Sequence, residues 1–188
     1  MPTKIVGLSG SWRKGSYNTA LLNAAKELAP EGTTLEVASI KEIPLYDGDL
    51  DLASGPPDVV EALKDGIASA DGLILASPEY NQSMAGVLKN AVDWLTRPPK
   101  DVKRVFGGKA VAVIGATPGA GGTRLSQAAW LPVFKALGVR LWTGSPIYVA
   151  SAAKVFDEEG RLVDDGTRDR LSRFMQAFSE FAGEPESL

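Results

Sequence analysis

Hydroxyl, amide and guanidinium groups are concentrated in one short stretch near the N-terminus, residues 9–18. This stretch joins an apolar run, residues 5–8, to an amphipathic segment that begins at Thr19. At such a junction the exposed N–H groups and the positive dipole end of a helix favour an anion, and short hydroxyls add donors. The pattern predicts a phosphate-binding loop. The alternative is a polar loop in which Ser16 or Asn18 only caps the helix.

Two known phosphate motifs fit this stretch poorly. The spacing Gly10-x-x-x-x-Gly15-Ser16 is close to that of a P-loop, but Lys14 precedes the second glycine instead of following it. The G-x-G-x-x-G fingerprint of dinucleotide sites is missing from the same turn. We therefore expect a terminal monophosphate at this loop, and a magnesium-dependent nucleotide binder is the alternative that ranks last.

Two later stretches carry groups that suit a flat heterocycle. Residues 77–83 place the ring of Tyr80 among carboxylate and amide groups, as stacking and edge recognition require. The alternative there is a proline turn in which Ser83 caps the next helix. Residues 117–123 include three glycines, which let the backbone approach a ligand directly, although a plain flexible turn explains them equally well.

The 188 residues include no histidine and no cysteine. Their absence excludes Ser-His-Asp hydrolysis, Cys-His nucleophiles, thiol redox chemistry, and the metal sites that need those ligands. What remains is carboxylate, lysine or tyrosine chemistry, chemistry borrowed from a cofactor, or none. The net charge of −3 without basic clusters argues against a nucleic-acid or anionic-membrane partner. We expect a cytoplasmic protein that binds no nucleic acid, no membrane and no metal.

Short apolar runs alternate with longer amphipathic stretches, which is typical of a parallel sheet flanked by helices. The predicted strands are residues 5–8, 35–40, 73–76, 110–114, and 141 together with 147–149. The predicted helices are residues 19–28, 59–68, 87–95, 124–136 and 168–181. Together, these strands and helices predict one α/β domain over residues 1–188 with an open, doubly wound sheet. A disordered tail is predicted at residues 183–188. Ligands of such sheets lie beyond the carboxyl ends of the strands, where the three loops fall.

Three motifs follow one another along this chain. They are Gly10-Ser11-x-Arg13-x-x-Ser16-x-Asn18, Ser77-Pro78-Glu79-Tyr80-Asn81 and Gly86-x-Leu88-Lys89-Asn90-Ala91-x-Asp93-Trp94. In order and spacing they resemble the NADPH-dependent FMN reductase family, a flavodoxin-like group that includes chromate, quinone and azo-compound reductases. The resemblance implies a five-stranded sheet of order 2-1-3-4-5 with helices on both faces. It also implies FMN as the bound cofactor, NADPH or NADH as co-substrate, and a homodimer or homotetramer.

The resemblance also implies a role for each site residue. The FMN phosphate would be held by Ser11, Arg13, Ser16, Asn18 and Thr19. The isoalloxazine ring would lie along Pro78, Glu79, Tyr80 and Asn81, with Thr117, Gly119 and Gly122 at its other edge. No side chain is given a catalytic role, because the flavin N5 carries the hydride. Helix packing and subunit contact are the roles implied for Lys89, Asn90, Asp93 and Trp94.

The activity that the resemblance implies is electron transfer from NAD(P)H through FMN to a quinone, azo, metal-oxyanion or flavin acceptor. The alternative is a flavodoxin-type electron carrier without nicotinamide turnover. Such carriers dock through a strongly acidic face, which a net charge of −3 with mixed signs does not obviously supply. Trp12 and Trp130 would either shape the substrate entrance or be structural, and Arg124 is a candidate for stabilising reduced flavin across a subunit boundary.

Overall fold

The computed structural model of the chain describes residues 2–184. Its strands are Thr3–Ser9 (β1), Thr33–Ala38 (β2), Gly72–Ala76 (β3), Glu79–Tyr80 (β4), Ser83–Met84 (β5), Ala110–Ala116 (β6), Arg140–Leu141 (β7) and Ile147–Val149 (β8). Its α-helices are Tyr17–Glu27 (α1), Gly48–Ser54 (α2), Asp58–Ser69 (α3), Gly86–Leu95 (α4), Val102–Phe106 (α5), Arg124–Ala129 (α6), Leu131–Leu137 (α7) and Asp165–Gly183 (α8). Each predicted strand and helix is present, whereas the apolar pattern does not predict α2, α5 or the hairpin of β4 and β5.

Parallel pairing gives the main sheet the order β2-β1-β3-β6-β7, and β8 also pairs with β6. Ser9 at the end of β1 lies opposite Ala76 at the end of β3, and Ala76 lies opposite Ile114 in β6. The predicted order 2-1-3-4-5 of the flavodoxin-like fold is therefore confirmed, with β7 and β8 as two pieces of the fifth strand. As a result, the loops after β1, β3 and β6 all leave the same edge of the sheet.

A five-residue interruption, residues 142–146, separates β7 from β8. Trp142 turns toward α8, where its ring centroid lies 5.3 Å from that of Phe181 and 6.3 Å from that of Phe178. Gly144 fits against the same ring, since a Cβ at this position would lie 2.1 Å from it. Pro146 has no N–H to offer a strand neighbour. Aromatic packing on α8 and the proline together explain why the fifth strand is broken.

Two separate apolar cores cover the two faces of the sheet, because successive residues of a strand point to opposite sides. Ile5 and Ile74 belong to the core beneath α1 and α8. Leu8 and Leu75 belong to the core beneath α3 and α4. Burial on both faces holds the carboxyl ends of β1, β3 and β6 rigidly in register. The loops that follow these strands are therefore built on fixed positions.

The predicted boundaries of one helix and of the C-terminal tail differ from those in the structure. The single helix expected over residues 124–136 is divided at Trp130, because Pro132 cannot donate the backbone hydrogen bond that would continue α6. Gly183 ends α8 and Glu184 accepts a hydrogen bond from Arg140, so the disordered tail predicted from residue 183 is wrong for these two residues. Residues 185–188 of that predicted tail lie outside the described residues. Among the helices of residues 2–184, none combines the length and apolar composition that crossing a membrane requires.

A fully buried lysine, Lys64 of α3, joins that helix to the segment before α5. Its Nζ donates to Glu61 Oε1 at 2.6 Å, to the carbonyl oxygen of Arg97 at 2.6 Å and to Asp101 Oδ2 at 2.8 Å. All three ammonium hydrogens thus have acceptors, as a buried charge requires. Hydrogen bonds from Lys64 and from Arg104 hold the pKa of Asp101 below its ordinary value.

The substitution Asp101→Asn is expected to lower the free energy of unfolding at pH 7 by about 1 to 2 kcal/mol, because charged hydrogen bonds are lost. The folded-state pKa of Asp101 is depressed. The contribution of this carboxylate is therefore complete above the ordinary carboxyl pKa and is lost as the pH falls through the lowered one. Urea midpoints of both proteins, measured from pH 7 to pH 2, should converge at the acid end.

A matched control is Asp65→Asn, because Asp65 contacts the same Arg104 but its side chain is 73% exposed. We expect that variant to change the free energy of unfolding by less than about 0.5 kcal/mol. Two results would contradict the stabilising role of Asp101. One is an equal loss of unfolding free energy in the two variants, and the other is a difference between the parent protein and Asp101→Asn that is the same at every pH.

Candidate functional site

A cleft of about 240 Å³ lies where the loops after β1, β3 and β6 meet. Most of the predicted site residues line it: Ser11, Arg13, Ser16, Asn18, Pro78, Glu79, Tyr80 and Thr117. Thr19, Asn81, Gly119 and Gly122 do not line this cleft. Tyr17 and Pro118, which the motifs do not single out, do line it. The only sequence signal for Tyr17 is its place between Ser16 and Asn18 in the first loop.

The phosphate loop ends at Ser16, the N-cap of α1, whose Oγ accepts a hydrogen bond from Thr19 N at 3.3 Å. The N–H groups of a helix's first turn have no partners within the helix, and the cap here engages only that of Thr19. Those of Tyr17 and Asn18 remain to bind an anion. Ser16 retains its own hydroxyl hydrogen, so capping and phosphate binding are compatible in this residue. Gly15 precedes it with φ +72°, a conformation that favours glycine.

Arg13 carries the cationic group of the cleft. Its guanidinium lies over the ring of Tyr17, 5.6 Å from the centroid, and Nη2 donates to the carbonyl oxygen of Gly15 at 3.3 Å. The Oγ of Ser11 accepts from the backbone N–H of Arg13 at 3.4 Å. These contacts give the loop a defined shape, while most of the five guanidinium hydrogens remain available for an anion.

The amide of Asn18 joins two of the three loops. Its Nδ2 donates to the carbonyl oxygen of Ala116 at 2.9 Å, and its Oδ1 accepts from the N–H of Ala116 at 3.0 Å. The start of α1 is thereby tied to the end of β6. One of the two hydrogens on Asn18 Nδ2 has no acceptor in these contacts and can be donated to a phosphate. The phosphate contact of Asn18 stays a prediction. The hydroxyl of Thr19 donates to Ser9 Oγ at 2.9 Å, and its predicted phosphate contact also stays a prediction.

The second loop is a tight hairpin formed by β4 and β5. Asn81 and Gln82 occupy its turn with φ values of +49° and +61°, the pattern of a type I′ turn. The hairpin leaves the ring of Tyr80 54% exposed at the cleft. The alternative in which Ser83 caps the next helix is wrong, because α4 begins at Gly86 and its N-cap is Ala85.

Glu79 connects this hairpin to the third loop. Its Oε2 accepts hydrogen bonds from the backbone N–H groups of Leu125 at 2.9 Å and Ser126 at 3.3 Å. The carboxylate therefore caps α6, whose own N-cap residue, Thr123, makes no side-chain capping bond. Placing a negative charge at a helix N-terminus is favourable. Glu79 thus fixes the separation of the two loops that flank the cleft.

Replacing Glu79 by alanine is expected to lower the free energy of unfolding by about 1 to 2 kcal/mol, because two N–H groups of α6 lose their acceptor. Glu79→Gln keeps an oxygen in place and should lose about half as much. Urea denaturation measures both. The exposed Glu158 provides a matched control, and Glu158→Ala should stay within about 0.5 kcal/mol of the parent. A loss for Glu79→Ala no larger than this control would contradict the capping role.

A buried hydrogen-bond network supports the floor of the cleft. Trp130 Nε1 donates to Ser77 Oγ at 3.0 Å, Ser77 Oγ lies 2.8 Å from Ser126 Oγ, and Ser126 Oγ donates to the carbonyl oxygen of Pro78 at 2.9 Å. Because Trp130 is fully buried, the structural alternative for this residue is confirmed. Trp12, within the first loop, is exposed at the surface.

The glycines of the third loop serve packing as well as flexibility. Gly122 has φ +64°, and a Cβ there would lie 2.9 Å from Tyr148 Cβ. Thr117 lines the cleft, and its Oγ1 accepts from the N–H of Gly119 at 3.3 Å. Contacts of Gly119 and Gly122 with a ring stay predictions, since neither lines the cleft.

Arg124 lies outside the cleft within this chain. Its guanidinium carbon is 5.1 Å from the ring centroid of Tyr148, and Nη1 donates to the carbonyl oxygen of Gly121 at 3.4 Å. It lines a different cavity, of about 320 Å³, together with Trp142. A contact from Arg124 to the flavin of a neighbouring subunit therefore stays a prediction.

The donor set fits FMN. A helix N-terminus, the hydroxyls of Ser11 and Ser16, and the guanidinium of Arg13 all belong to the first loop and line the cleft, which suits a single phosphate. Pro78 and Tyr80 of the second loop line the same cleft, and the ring of Tyr80 provides a flat surface there. Within residues 2–184 no group of acidic side chains is placed to hold a metal ion.

Known proteins match this chain over most of its length. The family described as NADPH-dependent FMN reductase matches residues 3–154. An NAD(P)H-dependent FMN reductase of Pseudomonas aeruginosa is 44% identical over 174 residues, which cover 93% of this chain and 92% of that protein. A 2-hydroxy-1,4-benzoquinone reductase of a Burkholderia species is 39% identical over 179 residues, 95% of this chain and 96% of that protein.

A solved structure agrees with these sequence matches. FerB of Paracoccus denitrificans, a flavoenzyme NAD(P)H:(acceptor) oxidoreductase, superposes with a TM-score of 0.85 at 32% identity, covering 96% of this chain and 97% of that one. The matched residues 3–154 contain all three loops of the cleft. The resemblance of the three motifs is confirmed, and the chain belongs to the NADPH-dependent FMN reductase family, whose members are FMN- and NAD(P)H-dependent oxidoreductases.

Proposed function

We propose that the chain is an NAD(P)H:quinone oxidoreductase that holds FMN in the cleft between the loops after β1, β3 and β6. The observation that carries this proposal is the convergence of Ser11, Arg13 and Ser16 around the first turn of α1. When bound, FMN supplies the two-electron chemistry that links NAD(P)H to the acceptor. The absence of histidine and cysteine is consistent with this, because the protein itself needs only to bind, orient and shield.

The residues of the first loop would hold the phosphate. The hydroxyls of Ser11 and Ser16 and the free N–H groups of Tyr17 and Asn18 supply neutral donors, and the positive end of α1 adds to them. The guanidinium of Arg13 supplies charge-assisted hydrogen bonds. Together they form a donor set for one terminal phosphate.

The residues of the second and third loops would hold the ring. Pro78 and Tyr80 of the second loop and Thr117 and Pro118 of the third loop also line the cleft. Because Glu79 accepts hydrogen bonds from the N-terminus of α6, these two loops are held at a fixed distance from each other. The partly exposed Tyr80 leaves one face of this region open to incoming substrates.

A quinone is the acceptor that the relatives favour. The Burkholderia relative is named for a benzoquinone, and FerB is named for an unspecified acceptor. A planar quinone and a planar nicotinamide can use the same open region beside Tyr80 in turn. Azo, metal-oxyanion and flavin acceptors remain alternatives to test in the same assay.

We also propose a homodimer or homotetramer. Leu125 of α6 and Leu131 of α7 are each about half exposed, and Leu131 lines the same cavity as Arg124. Subunit contacts would cover such apolar surface. Light scattering of the purified protein should give two or four times the mass of one chain. A cytoplasmic location and the lack of nucleic-acid partners stay predictions.

The proposal is tested by an absorbance spectrum of the purified protein, followed by anaerobic titration with NADPH and NADH. We expect a flavin spectrum, or its recovery on adding FMN, and bleaching by at least one nicotinamide. Adding a benzoquinone should then restore the spectrum and sustain steady-state turnover. A protein that binds no FMN would contradict the proposal. A flavin-loaded protein without nicotinamide turnover would favour the electron carrier instead.

A further inference from the structure

A second cavity, of about 270 Å³, lies on the other side of the first loop, between that loop and the end of β2. Ser11 and Arg13 line both this cavity and the cleft, so the two adjoin one another. The remaining lining includes Trp12, Ser39 and Lys41. No role has been proposed so far for Ser39 or Lys41, and for Trp12 the alternatives are the substrate entrance and a structural role.

The charge of this cavity suits an anion. Lys41 and Arg13 line it, and no carboxylate does, among the residues that the structure describes. The cavity on the opposite side of the first loop differs, because Asp157, Glu158 and Glu159 line it beside Arg13. A phosphate that extends past the first loop would therefore be attracted to the side of Lys41 and repelled from the acidic side.

Hydroxyl groups add neutral donors in the same place. Ser39 follows β2, and its Oγ accepts from the backbone N–H of Lys41 at 3.2 Å, which leaves the hydroxyl hydrogen available. Ser9 and Thr19 also line the cavity, with 2.9 Å between their hydroxyl oxygens. These hydroxyl groups and the ammonium group of Lys41 thus line the same cavity.

The indole of Trp12 supplies a flat apolar surface at the cavity. It is 47% exposed, although an aromatic ring of this size gains most from burial. The other tryptophans with defined roles, Trp94 and Trp130, are fully buried. Stacking of a nucleic base on an exposed aromatic ring is favourable and is tolerant of base identity. The cavity therefore combines a stacking surface with a cationic group.

The position in the fold matches the same chemistry. Ala38 ends β2 and pairs in parallel with Leu8 of β1, so the cavity lies beyond the carboxyl end of β2. In doubly wound dinucleotide folds, whose G-x-G-x-x-G turn this chain lacks, residues at the end of the second strand read the 2′ position of the adenosine ribose: an acidic residue favours a free hydroxyl, and a basic one accommodates a 2′-phosphate. Here Ser39 and Lys41 occupy that place.

We propose, resting on the function proposed above, that this cavity binds the adenosine 2′-phosphate end of NADPH. Trp12 stacks on the adenine, and Lys41 with the hydroxyl of Ser39 binds the 2′-phosphate. Arg13, which faces both cavities, serves the phosphate of FMN and the pyrophosphate of the incoming nucleotide. This arrangement makes the enzyme prefer NADPH to NADH.

Calorimetric titration of the FMN-saturated protein with adenosine 2′,5′-bisphosphate and with 5′-AMP, at low ionic strength, tests this. We expect the bisphosphate to bind about tenfold more tightly than 5′-AMP in the parent protein. The substitution Lys41→Glu should abolish that preference. Trp12→Ala should weaken both ligands about tenfold. Lys14→Glu is the matched control, since Lys14 is exposed on the same loop but does not line the cavity, and it should keep the preference.

The flavin absorbance of each variant, measured before titration, separates the two possible failures. If the parent protein binds no FMN or oxidises neither nicotinamide, the proposed function is overturned and this site with it. If the parent protein binds FMN and oxidises NADPH, but Lys41→Glu and Lys14→Glu have the same effect on binding of the bisphosphate, only the adenosine site is overturned. A parent protein that binds both ligands equally overturns the role of Lys41 and Ser39.

Discussion

Replacing Ser16 by aspartate is expected to weaken FMN binding by at least about a hundredfold while α1 remains capped. Aspartate is as good an N-cap as serine and can accept the same hydrogen bond from Thr19 N. In the cleft, however, its carboxylate would face the phosphate. Two like charges about 4 Å apart near a protein surface repel by several kcal/mol, and about 1.4 kcal/mol corresponds to a factor of ten in affinity.

This variant separates the two interpretations of the first loop. If Ser16 were only a cap, Ser16→Asp would bind FMN as well as the parent protein. A flavin fluorescence titration of the apoprotein gives the dissociation constant, and urea denaturation shows whether the free energy of unfolding stays within about 1 kcal/mol of the parent. Ser83→Asp is the matched control, because it adds the same charge at an exposed serine outside the cleft. It should bind FMN like the parent protein.

The substitution Asn18→Ala is expected to lower the free energy of unfolding by about 3 kcal/mol. Both the N–H and the carbonyl oxygen of Ala116 lose their partner in a buried place, and each unsatisfied buried group costs about 1 to 3 kcal/mol. For a chain of this size that corresponds to a drop in Tm of roughly 6 to 12 °C. FMN affinity should fall as well, because the first and third loops are no longer tied together.

Asn23→Ala provides the comparison on the same helix, since Asn23 lies on the exposed face of α1. We expect its free energy of unfolding to stay within about 0.5 kcal/mol of the parent. Thermal and urea unfolding of both variants measure the difference. If Asn18→Ala lowers the free energy of unfolding by less than about 1 kcal/mol, water replaces the side-chain amide of Asn18. The hydrogen bonds between Asn18 and Ala116 would then not be essential for joining the two loops.

Much of the fold can be predicted from the amino-acid sequence, because its apolar runs are short and regularly spaced. Residues such as Leu8, Leu75 and Val111 are buried in strands that have helices on both faces, so each strand is a nearly continuous apolar run. The broken helix at Trp130 is harder, because apolar residues continue at helical spacing through Pro132. The hairpin turn at Asn81 and Gln82 is hidden for another reason, since it contains no glycine at the positions with positive φ.

The site could be predicted as three loops but not as a set of contacts. Local spacing places Ser16 at the start of α1, which is enough to predict the phosphate loop. It cannot show that Asn18 binds the backbone of Ala116, 98 residues away, or that Glu79 caps α6, 46 residues away. These pairings depend on how the strands are ordered. For the same reason Gly122 suggests ligand approach in the sequence but packs on Tyr148 in the fold.

The central claim is that the cleft recognises a flavin through one terminal phosphate held by the first loop. The most direct measurement is a comparison of the dissociation constants of FMN and riboflavin for the apoprotein, because the two ligands differ only in that phosphate. We predict that FMN binds one equivalent per chain and at least about a hundredfold more tightly than riboflavin, since several charge-assisted hydrogen bonds are at stake. Equal affinities for the two flavins, or no binding of either, would contradict the account.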